Sequence, residues 1–246
     1  MNVLGVDIGG SGIKSATVDV LDGAVTSERL RSPTPQPSTP DAVLATIEAL
    51  VTQHEWSGDV GITIPGVVVS GVVHTAANID DAWIGLDAQR MFSSALGRHV
   101  AVINDADAAG VAEVRFGAGR NITGTVLLLT FGTGIGSALV HDGVLVPNTE
   151  LGHLEFRGDI AERYAAGRLV KSENNPIDWW ARRVNELLAY IEVLLSPRLI
   201  IIGGGISKRF DEFKDDLTTD AGLLAAELGN NAGIVGAALA ANKDAP

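Results

Sequence analysis

Hydrophobic runs that end in glycine or paired polar residues alternate along this chain with amphipathic segments. The apolar run Val3–Ile8 enters the glycine-rich turn Gly9-Gly10-Ser11-Gly12, and Ile13–Val20 follows as the returning strand of a hairpin. Much later, the strand Thr125–Thr130 enters a second glycine turn, Gly132-Thr133-Gly134-Ile135-Gly136. The pattern therefore predicts an antiparallel hairpin at the start of the chain, and a second one near its middle.

The remaining periodicity predicts a mixed α/β protein. Strands are expected at Val60–Ile64, Val100–Ile103 and Leu199–Ile202, with a further candidate at Gly71–His74. Helices are expected at Pro40–Gln53, Asp87–Leu96, Ala106–Phe116, Pro176–Leu195 and Ala232–Ala241. Thr39 and Asn231 are expected to cap the first and last of these helices, and Trp179 and Trp180 to pack in a core.

A short internal repeat links the two glycine turns. Gly12–Val18 matches Gly134–Val140 at five of seven positions, and both copies follow an apolar strand. The repeat predicts duplicated domains that face each other across a cleft. We expect a small lobe over residues 1–120, to which a C-terminal helix at 232–246 returns, and a large lobe over 121–231.

Composition narrows the class of protein. The chain has 246 residues and no cysteine, so disulfides and thiolate metal sites are excluded, and any metal needs oxygen or imidazole ligands. The absence of cysteine also fits a cytoplasmic protein. Neither a signal peptide nor an apolar run of the ~20 residues that span a membrane is visible. The net charge of −12 argues against nucleic-acid binding, and it complicates the binding of any other long polyanion.

Two polar residues, Asn104 and Asp105, follow the strand Val100–Ile103 directly. In open α/β sheets the carboxyl ends of strands face the ligand crevice, where a carboxylate can take a proton from a bound hydroxyl. The alternative is that either residue only caps the helix that follows. The presence of the two glycine turns favours the interpretation that this site is catalytic.

The glycine turns are candidate phosphate sites, because phosphate needs a close approach to backbone N–H groups. Asp7 could hold Mg²⁺ directly or through water, or it could serve the hairpin structurally; Lys14 could neutralise phosphate or be a surface lysine. The candidate donor-binding residues are Asp7, Gly9, Gly10, Ser11, Gly12, Lys14, Thr130, Gly132, Thr133, Gly134, Gly204 and Gly205.

Glu150, His153 and Glu162 are candidate ligands for the hydroxyl groups of a polyol. A Glu-x-x-His pair more often consists of two polar residues at the protein surface that bind no ligand. Metal ligation by His153 is disfavoured, because no cysteine or neighbouring histidine completes a ligand set.

Several motifs together resemble those of the ROK family of sugar kinases: DIGGSGIK at Asp7–Lys14, NDADAAG at Asn104–Gly110, LTFGTGIGSA at Leu129–Ala138 and ELGH at Glu150–His153. Four further segments resemble the branch of that family that uses polyphosphate to phosphorylate glucose. They are Thr34–Pro40, Thr75–Gly85, Pro147–Glu155 and Asn230–Ala240.

The resemblance implies an actin-like ATPase (ribonuclease H-like) fold with two lobes around a central cleft, and transfer of a phosphoryl group to the 6-hydroxyl of glucose. It implies Asp105 as the general base, Mg²⁺ as cofactor, polyphosphate or ATP as donor, and a homodimer. The implied glucose-binding residues are Gly66, Asn104, Asp105, Glu150, His153 and Glu162. The zinc loop of many relatives is missing here, so no zinc is expected and another group must orient His153.

Some features keep alternatives open. Asp216–Glu227 departs from the polyphosphate branch near the expected donor site, and Lys171–Asp178 departs in what we expect to be a surface loop. An ATP-dependent glucokinase or a kinase for another hexose therefore remains possible. Four cations, Arg115, Arg120, Lys208 and Arg209, could form a strip for polyphosphate or be ion-paired at the surface.

A sugar-sensing regulator of the same family is the other alternative. The first strand begins at about residue 3, so we expect no N-terminal helix-turn-helix for DNA.

Overall fold

The computed structural model describes residues 1–171 and 174–242. It divides into two compact units: unit 1 is Met1–Ala112 together with the C-terminal segment from Asn230, and unit 2 is Glu113–Gly229. The chain first passes from unit 1 to unit 2 between Ala112 and Glu113, within a helix. The sequence instead predicts the boundary between the lobes after residue 120. The end of the proposed helix at 232–246, from residue 243 onward, lies outside the described residues, as do residues 172 and 173 of the KSENNPID segment.

The elements follow one another with short connections. The strands are β1 Asn2–Gly9, β2 Gly12–Asp19, β3 Leu30–Ser32, β4 Val60–Ile64, β5 Val68–Val69, β6 Val72–Val73, β7 Val100–Asn104, β8 Thr125–Phe131, β9 Ile135–His141, β10 Val144–Val146, β11 Glu155–Phe156, β12 Asp159–Ile160, β13 Leu199–Gly203 and β14 Gly222–Ala225. The α-helices are α1 Pro40–Gln53, α2 Ala88–Leu96, α3 Asp105–Phe116, α4 Ala161–Ala165, α5 Arg168–Lys171, α6 Ile177–Leu195 and α7 Ala232–Ala241. Short 3₁₀ helices lie at Asp81–Trp83, Leu151–His153, Gly205–Glu212, Lys214–Asp216 and Gly229–Asn231.

Each unit is built around a five-stranded sheet, and the two sheets have equivalent strand orders. The order is β3-β2-β1-β4-β7 in unit 1 and β10-β9-β8-β13-β14 in unit 2. In both sheets the first three strands are antiparallel and the last three are parallel. The seven-residue repeat therefore marks equivalent hairpins, β1–β2 and β8–β9, at the centre of each sheet.

The local predictions of the strands and helices agree with the structure within a few residues. Thr39 caps α1, with its hydroxyl accepting from the Ala42 amide, and Pro40 opens the helix. The candidate strand at Gly71–His74 is only the two-residue β6. The divergent segment Asp216–Glu227 still forms an edge strand, β14, which pairs in parallel with β13.

Unit 2 packs around large aromatic side chains. Trp180 on α6 is fully buried, and its ring meets Phe131 and Phe213 edge-on at 5.3 and 5.1 Å between centroids. Trp179 also packs against this core but is only partly buried, and the guanidinium of Arg183 covers its ring at 4.5 Å. Adjacent residues on a helix point about 100° apart, so one of the two reaches the core and the other its margin.

Helix α7 packs on β1 and β4 in unit 1 through small residues. A Cβ on Gly5 would lie 2.0 Å from the Ile234 carbonyl oxygen, and one on Gly61 would lie 1.7 Å from that of Ala237. The predicted cap of this helix is wrong: the Asn231 side chain makes no capping hydrogen bond, and its Oδ1 accepts instead from Arg29 Nη1 at 3.2 Å. Arg29, which is distant in sequence, thus takes the place of the nearby backbone amides that a capping side chain would bind.

Across the described ranges, no helix combines the length and the apolar character that a membrane crossing needs.

Candidate active site

The candidate residues of unit 1 gather at one edge of its sheet. Strands β1, β4 and β7 are neighbours and run parallel, so their carboxyl ends lie on the same side. These ends lead into the glycine turn after β1, into Pro65-Gly66 after β4 and into Asp105 after β7. This edge is where open α/β sheets bind ligands.

Asn104 and Asp105 both take part in the junction between β7 and α3. Asn104 is buried; its Oδ1 accepts from the Asp107 amide at 2.9 Å, and its Nδ2 donates to the Gly66 carbonyl at 3.0 Å. Asp105 is half-buried, and its Oδ1 accepts from the Ala106 amide at 2.9 Å. Asn104 therefore does cap the helix, as the alternative reading held. Asp105 presents a carboxylate at the sheet edge that sits on the first turn of the helix.

Gly66 is required by packing. A Cβ at this position would lie 2.1 Å from the carbonyl oxygen of Thr75, and the Gly66 carbonyl already accepts from Asn104. Its proposed part in glucose binding remains a prediction.

Asp7 is held on both of its carboxylate oxygens. Oδ2 lies 3.0 Å from Nζ of Lys14, directly across the hairpin, and Oδ1 accepts from Thr63 Oγ1 at 3.1 Å. The same Thr63 oxygen accepts from the Ile8 amide at 3.2 Å. The side chain of Asp7 is 16 % exposed and that of Lys14 is 28 % exposed, so the pair lies at the margin of the sheet. Both residues thus serve the hairpin structurally.

Two segments that resemble the polyphosphate branch contact each other and the first glycine turn. Thr34, in the first segment, donates from its hydroxyl to the Gly9 carbonyl. Ser38 accepts from the Asp80 amide at 3.1 Å, and its carbonyl accepts from Trp83 Nε1 at 2.9 Å. Proximity in the fold therefore joins Thr34–Pro40, Thr75–Gly85 and the turn into one surface of unit 1.

The glycines of unit 2 also lie at a carboxyl edge. Strands β8 and β13 are parallel neighbours, with Thr130 opposite Gly203, so Gly132–Gly134 and Gly204-Gly205 follow side by side. A Cβ on Gly132 or Gly205 would meet nothing within 4 Å. Gly204, with φ +77°, packs on the backbone of Phe131. Open space at two of these glycines is what a ligand-binding turn needs.

The three candidate sugar ligands Glu150, His153 and Glu162 belong to unit 2 and interact with one another. Nδ1 of His153 lies 3.4 Å from Oε2 of Glu150, and Glu162 Oε2 lies 3.4 Å from the Ile135 amide. Burial raises the pKa of the Glu150 carboxyl above its ordinary 4.5; His153 lowers it and the charge of Glu162 raises it. Glu150 is therefore the group that accompanies His153, the partner that the sequence left unidentified.

The ELGH segment is fixed to β9. Ser137 Oγ accepts from the Leu151 amide at 3.0 Å and donates to the Thr149 carbonyl. Gly152 leaves room for the Ile135 carbonyl, which would lie 2.2 Å from a Cβ. Side chains on this segment are thus positioned by the returning strand of the second hairpin.

The four cations of the suggested strip are all exposed. Arg209 is paired with Glu212 through two hydrogen bonds of 2.9 and 2.7 Å, as the alternative reading held, and Arg115 lies over the ring of Phe116. Sequence reasoning did not select Arg31 and Arg168, which contact the glycine turns: Arg31 Nη2 lies 3.3 Å from the Ser11 carbonyl, and Arg168 Nη1 donates to that of Thr133. Neither arginine stands in a motif that would have identified it.

A ligand cluster for a metal is not apparent in the part of the chain that the structure describes: no group of three or more His, Asp or Glu residues is arranged to hold an ion.

Comparisons with known proteins identify the class. The ROK family model matches residues 3–167. The chain therefore belongs to the ROK family, and the actin-like ATPase fold expected from the motifs is confirmed.

Among curated proteins, the chain is 50 % identical over 245 residues to the polyphosphate glucokinase of Mycobacterium tuberculosis H37Rv, covering 98 % of this chain and 91 % of that protein. It is 28 % identical over 318 residues to the glucokinase of Streptomyces coelicolor, covering 99 % and 98 %. Among solved structures, the inorganic polyphosphate/ATP-glucomannokinase of Arthrobacter sp. strain KM has a TM-score of 0.92 at 46 % identity, with 97 % of each chain covered. A ROK family glucokinase from Streptomyces griseus, in complex with glucose and AMPPNP, has a TM-score of 0.82 at 27 % identity, covering 97 % and 98 %.

Proposed function

We propose that this protein is a glucokinase that transfers a phosphoryl group from inorganic polyphosphate, and also from ATP, to the 6-hydroxyl of glucose. The observation that carries the proposal is the near-full-length 50 % identity to polyphosphate glucokinases, with Asp105 at the carboxyl edge of a sheet that also presents a glycine turn.

Asp105 is the proposed general base. Its carboxylate takes the proton of the sugar O6 as that oxygen forms a bond to the terminal phosphorus of the donor. The bond from that phosphorus to the bridging oxygen breaks, and the donor leaves one phosphate shorter, or as ADP. In phosphoryl transfer, positioning and charge stabilisation supply most of the catalysis, so the base needs only one correctly placed carboxylate.

Glu150, His153 and Glu162 are the proposed ligands of the sugar hydroxyls. Glu150 and Glu162 accept hydrogen bonds when ionised, and the carboxylate of Glu150, 3.4 Å from Nδ1, favours the tautomer of His153 that carries its proton there. Asn104 has one amide hydrogen left for a sugar oxygen, because its Oδ1 and its other hydrogen serve the helix cap and Gly66.

Mg²⁺ is the proposed cofactor, and Asp7 fits it only through water. The lysine ammonium at 3.0 Å and the threonine hydroxyl at 3.1 Å already engage both carboxylate oxygens of Asp7. An ion that keeps most of its waters, as Mg²⁺ does, can still be held by the remaining lone pairs. Bound with the donor, the ion would neutralise charge on the phosphates.

A second acceptor is favoured by one comparison. The Arthrobacter relative at 46 % identity is named a glucomannokinase, so we propose mannose as a further substrate. A homodimer and a cytoplasmic location complete the proposal; the homodimer rests on the family resemblance, and the location rests on the absence of cysteine.

One experiment tests the proposal: initial rates for glucose, mannose and glucosamine, each with purified polyphosphate or with ATP, in the presence of Mg²⁺ or of excess EDTA. We expect glucose 6-phosphate with both donors, lower but measurable turnover of mannose, and no turnover with EDTA. Product from ATP alone would reassign the chain to an ATP-dependent glucokinase. No sugar phosphate with either donor would contradict the proposal.

A further inference from the structure

The guanidinium group of an arginine contacts each of the two glycine turns. In unit 1, Arg31 on β3 has Nη2 3.3 Å from the Ser11 carbonyl, and its guanidinium covers Gly12, where a Cβ would lie 2.8 Å from Nε. In unit 2, Arg168 at the start of α5 donates from Nη1 to the Thr133 carbonyl, and its amide donates to the Gly132 carbonyl at 2.9 Å.

The two carbonyl groups occupy equivalent positions. Ser11 and Thr133 each stand directly before the glycine that opens the seven-residue repeat, Gly12 in one copy and Gly134 in the other. The arginines themselves lie outside the repeat, one on an edge strand and one on a helix. Two hairpins that share a sequence thus reach the same arrangement with arginines from unrelated elements, which indicates a shared requirement of the turns.

Anchoring to a neutral carbonyl leaves each guanidinium most of its binding capacity. An arginine has five N–H donors in a planar fork, and one contact with a carbonyl oxygen uses one of them. The anchor also removes rotamer freedom in advance, so less entropy is lost when an anion binds. A guanidinium held beside backbone N–H groups at a turn is a combination that suits phosphoryl oxygens.

The charges of these two arginines are not neutralised by the protein. Over residues 1–171 and 174–242, neither Arg31 nor Arg168 forms an ion pair, whereas Arg157, Arg182 and Arg209 each contact a carboxylate at 2.7 Å or less. Arg31 also stands directly opposite Lys14 in the β2–β3 pairing. Lys14 has the Asp7 carboxylate as its partner at 3.0 Å, whereas no carboxylate of the described residues forms an ion pair with Arg31.

From these contacts we infer that Arg31 and Arg168 are donor-binding residues, and that each receives phosphoryl oxygens at its own glycine turn. The inference rests on the proposed function and names side chains for its donor site. It also assigns polyphosphate binding to the arginines at the glycine turns. They replace the suggested strip of four cations, which is Arg115, Arg120, Lys208 and Arg209.

The test compares three substitutions at each position: Arg31→Gln, Arg31→Lys and Arg31→Ala, with the same set at Arg168. Glutamine keeps an amide N–H donor but is shorter and carries no charge, whereas lysine keeps the charge without the fork. Matched controls are Arg90→Ala on α2 in unit 1 and Arg182→Ala on α6 in unit 2, both exposed arginines. KM and kcat are measured for polyphosphate, ATP and glucose, and polyphosphate binding is measured by calorimetry without glucose.

We expect each glutamine and alanine variant to raise the KM for polyphosphate about tenfold, with weaker binding by calorimetry and an unchanged KM for glucose. Lysine variants should fall between the glutamine variants and the unmodified protein, and both controls should match the unmodified protein. The glutamine variants should keep the melting temperature within a few degrees, because a single exposed hydrogen bond to a backbone carbonyl contributes little to stability.

Two outcomes overturn the inference: polyphosphate binding and KM unchanged in the glutamine and alanine variants, or losses that alanine causes and glutamine repairs, since these mark a purely structural anchor. The proposed function fails separately. If the unmodified protein uses ATP but not polyphosphate, the donor assignment is wrong, while raised KM values for ATP in the glutamine variants would still support the two arginines.

Discussion

Oε1 of Glu113 accepts a hydrogen bond of 2.8 Å from the backbone amide of Leu228, which is 115 residues away in sequence. Its Oε2 accepts from the amides of Ala118 and Glu227 at 3.0 and 3.1 Å. The side chain of Glu113 is fully buried. It stands directly after the first passage of the chain between the units, and Leu228 stands just before the return passage at 229–230. The Glu113 carboxylate thus holds together the two segments of unit 2 at which the chain enters and leaves that unit.

Replacing Glu113 with alanine is expected to lower the free energy of unfolding by about 3 kcal/mol, because buried amides lose their acceptor. Chemical denaturation monitored by circular dichroism measures the change. Glu48→Ala, on the exposed side of α1, is the control and should stay within about 0.5 kcal/mol of the unmodified protein. A cost below about 1 kcal/mol for Glu113→Ala would contradict this assignment.

Gly132 and Gly61 have different surroundings, so substitutions at these two positions distinguish a role in ligand access from a role in packing. Gly132→Ala adds a methyl group in open space and should leave the melting temperature unchanged while raising the KM for the phosphoryl donor. Gly61→Ala would place a Cβ 1.7 Å from the Ala237 carbonyl oxygen, so it should destabilise unit 1 by more than about 2 kcal/mol. Thermal unfolding and donor kinetics measure the two effects. An unchanged donor KM in Gly132→Ala would show that no phosphate approaches that turn closely.

Asp105→Asn should lower kcat about 10²-fold or more, because an amide cannot take the O6 proton. The amide oxygen can still accept from Ala106, so folding and glucose binding should persist; calorimetry with glucose and kinetics with either donor measure both. Asp22→Asn is a matched control, since its carboxylate also accepts a hydrogen bond from a nearby backbone amide, that of Ala24, in an exposed turn. Near-normal turnover of Asp105→Asn would remove Asp105 from the role of base.

The Glu150 carboxyl should titrate above 4.5, since its burial raises the pKa. Glu162→Gln removes a negative charge and should lower the pKa of Glu150, whereas His153→Ala removes a group that lowers it and should raise it. Carboxyl-carbon NMR titrations of the three proteins measure these shifts. A titration midpoint at or below 4.5 in the unmodified protein would contradict the effect of burial.

The raised pKa of Glu150 also has a consequence for stability. The folded state binds the Glu150 proton more tightly than the unfolded state, so ionisation costs stability as the pH rises from about 4.5 through the folded pKa. Glu150→Gln removes that cost. Its melting temperature, compared with that of the unmodified protein, should therefore improve as the pH rises across this window and level off above it.

Local chemistry was sufficient to predict most elements. Thr39-Pro40 marks the start of α1 because a hydroxyl cap and a fixed φ need no distant partner. The glycine turns mark both hairpins for the same reason, and their shared sequence indicated the equivalent sheets. Family motifs then selected Asp105, Glu150 and His153, whose roles remain proposals.

Asn104 and Asn231 show where local chemistry stops being decisive. Each stands before a helix and could cap it. Asn104 does cap α3, while its amide also reaches Gly66, whereas Asn231 binds Arg29 and leaves α7 without a side-chain cap. The sequence predicts a helix cap at both positions. Whether the asparagine binds the helix amides or a distant group depends on which groups the fold places next to it.

The sequence by itself determined the strands, the helices, the two glycine turns and the family, because periodicity, turn chemistry and contiguous motifs are properties of neighbouring residues. Tertiary structure alone decided that Arg31 and Arg168 reach the turns, that Glu113 holds Leu228, and that burial raises the pKa of Glu150. These features depend on contacts between residues far apart in sequence and on the exclusion of water, and neither leaves a local pattern to read.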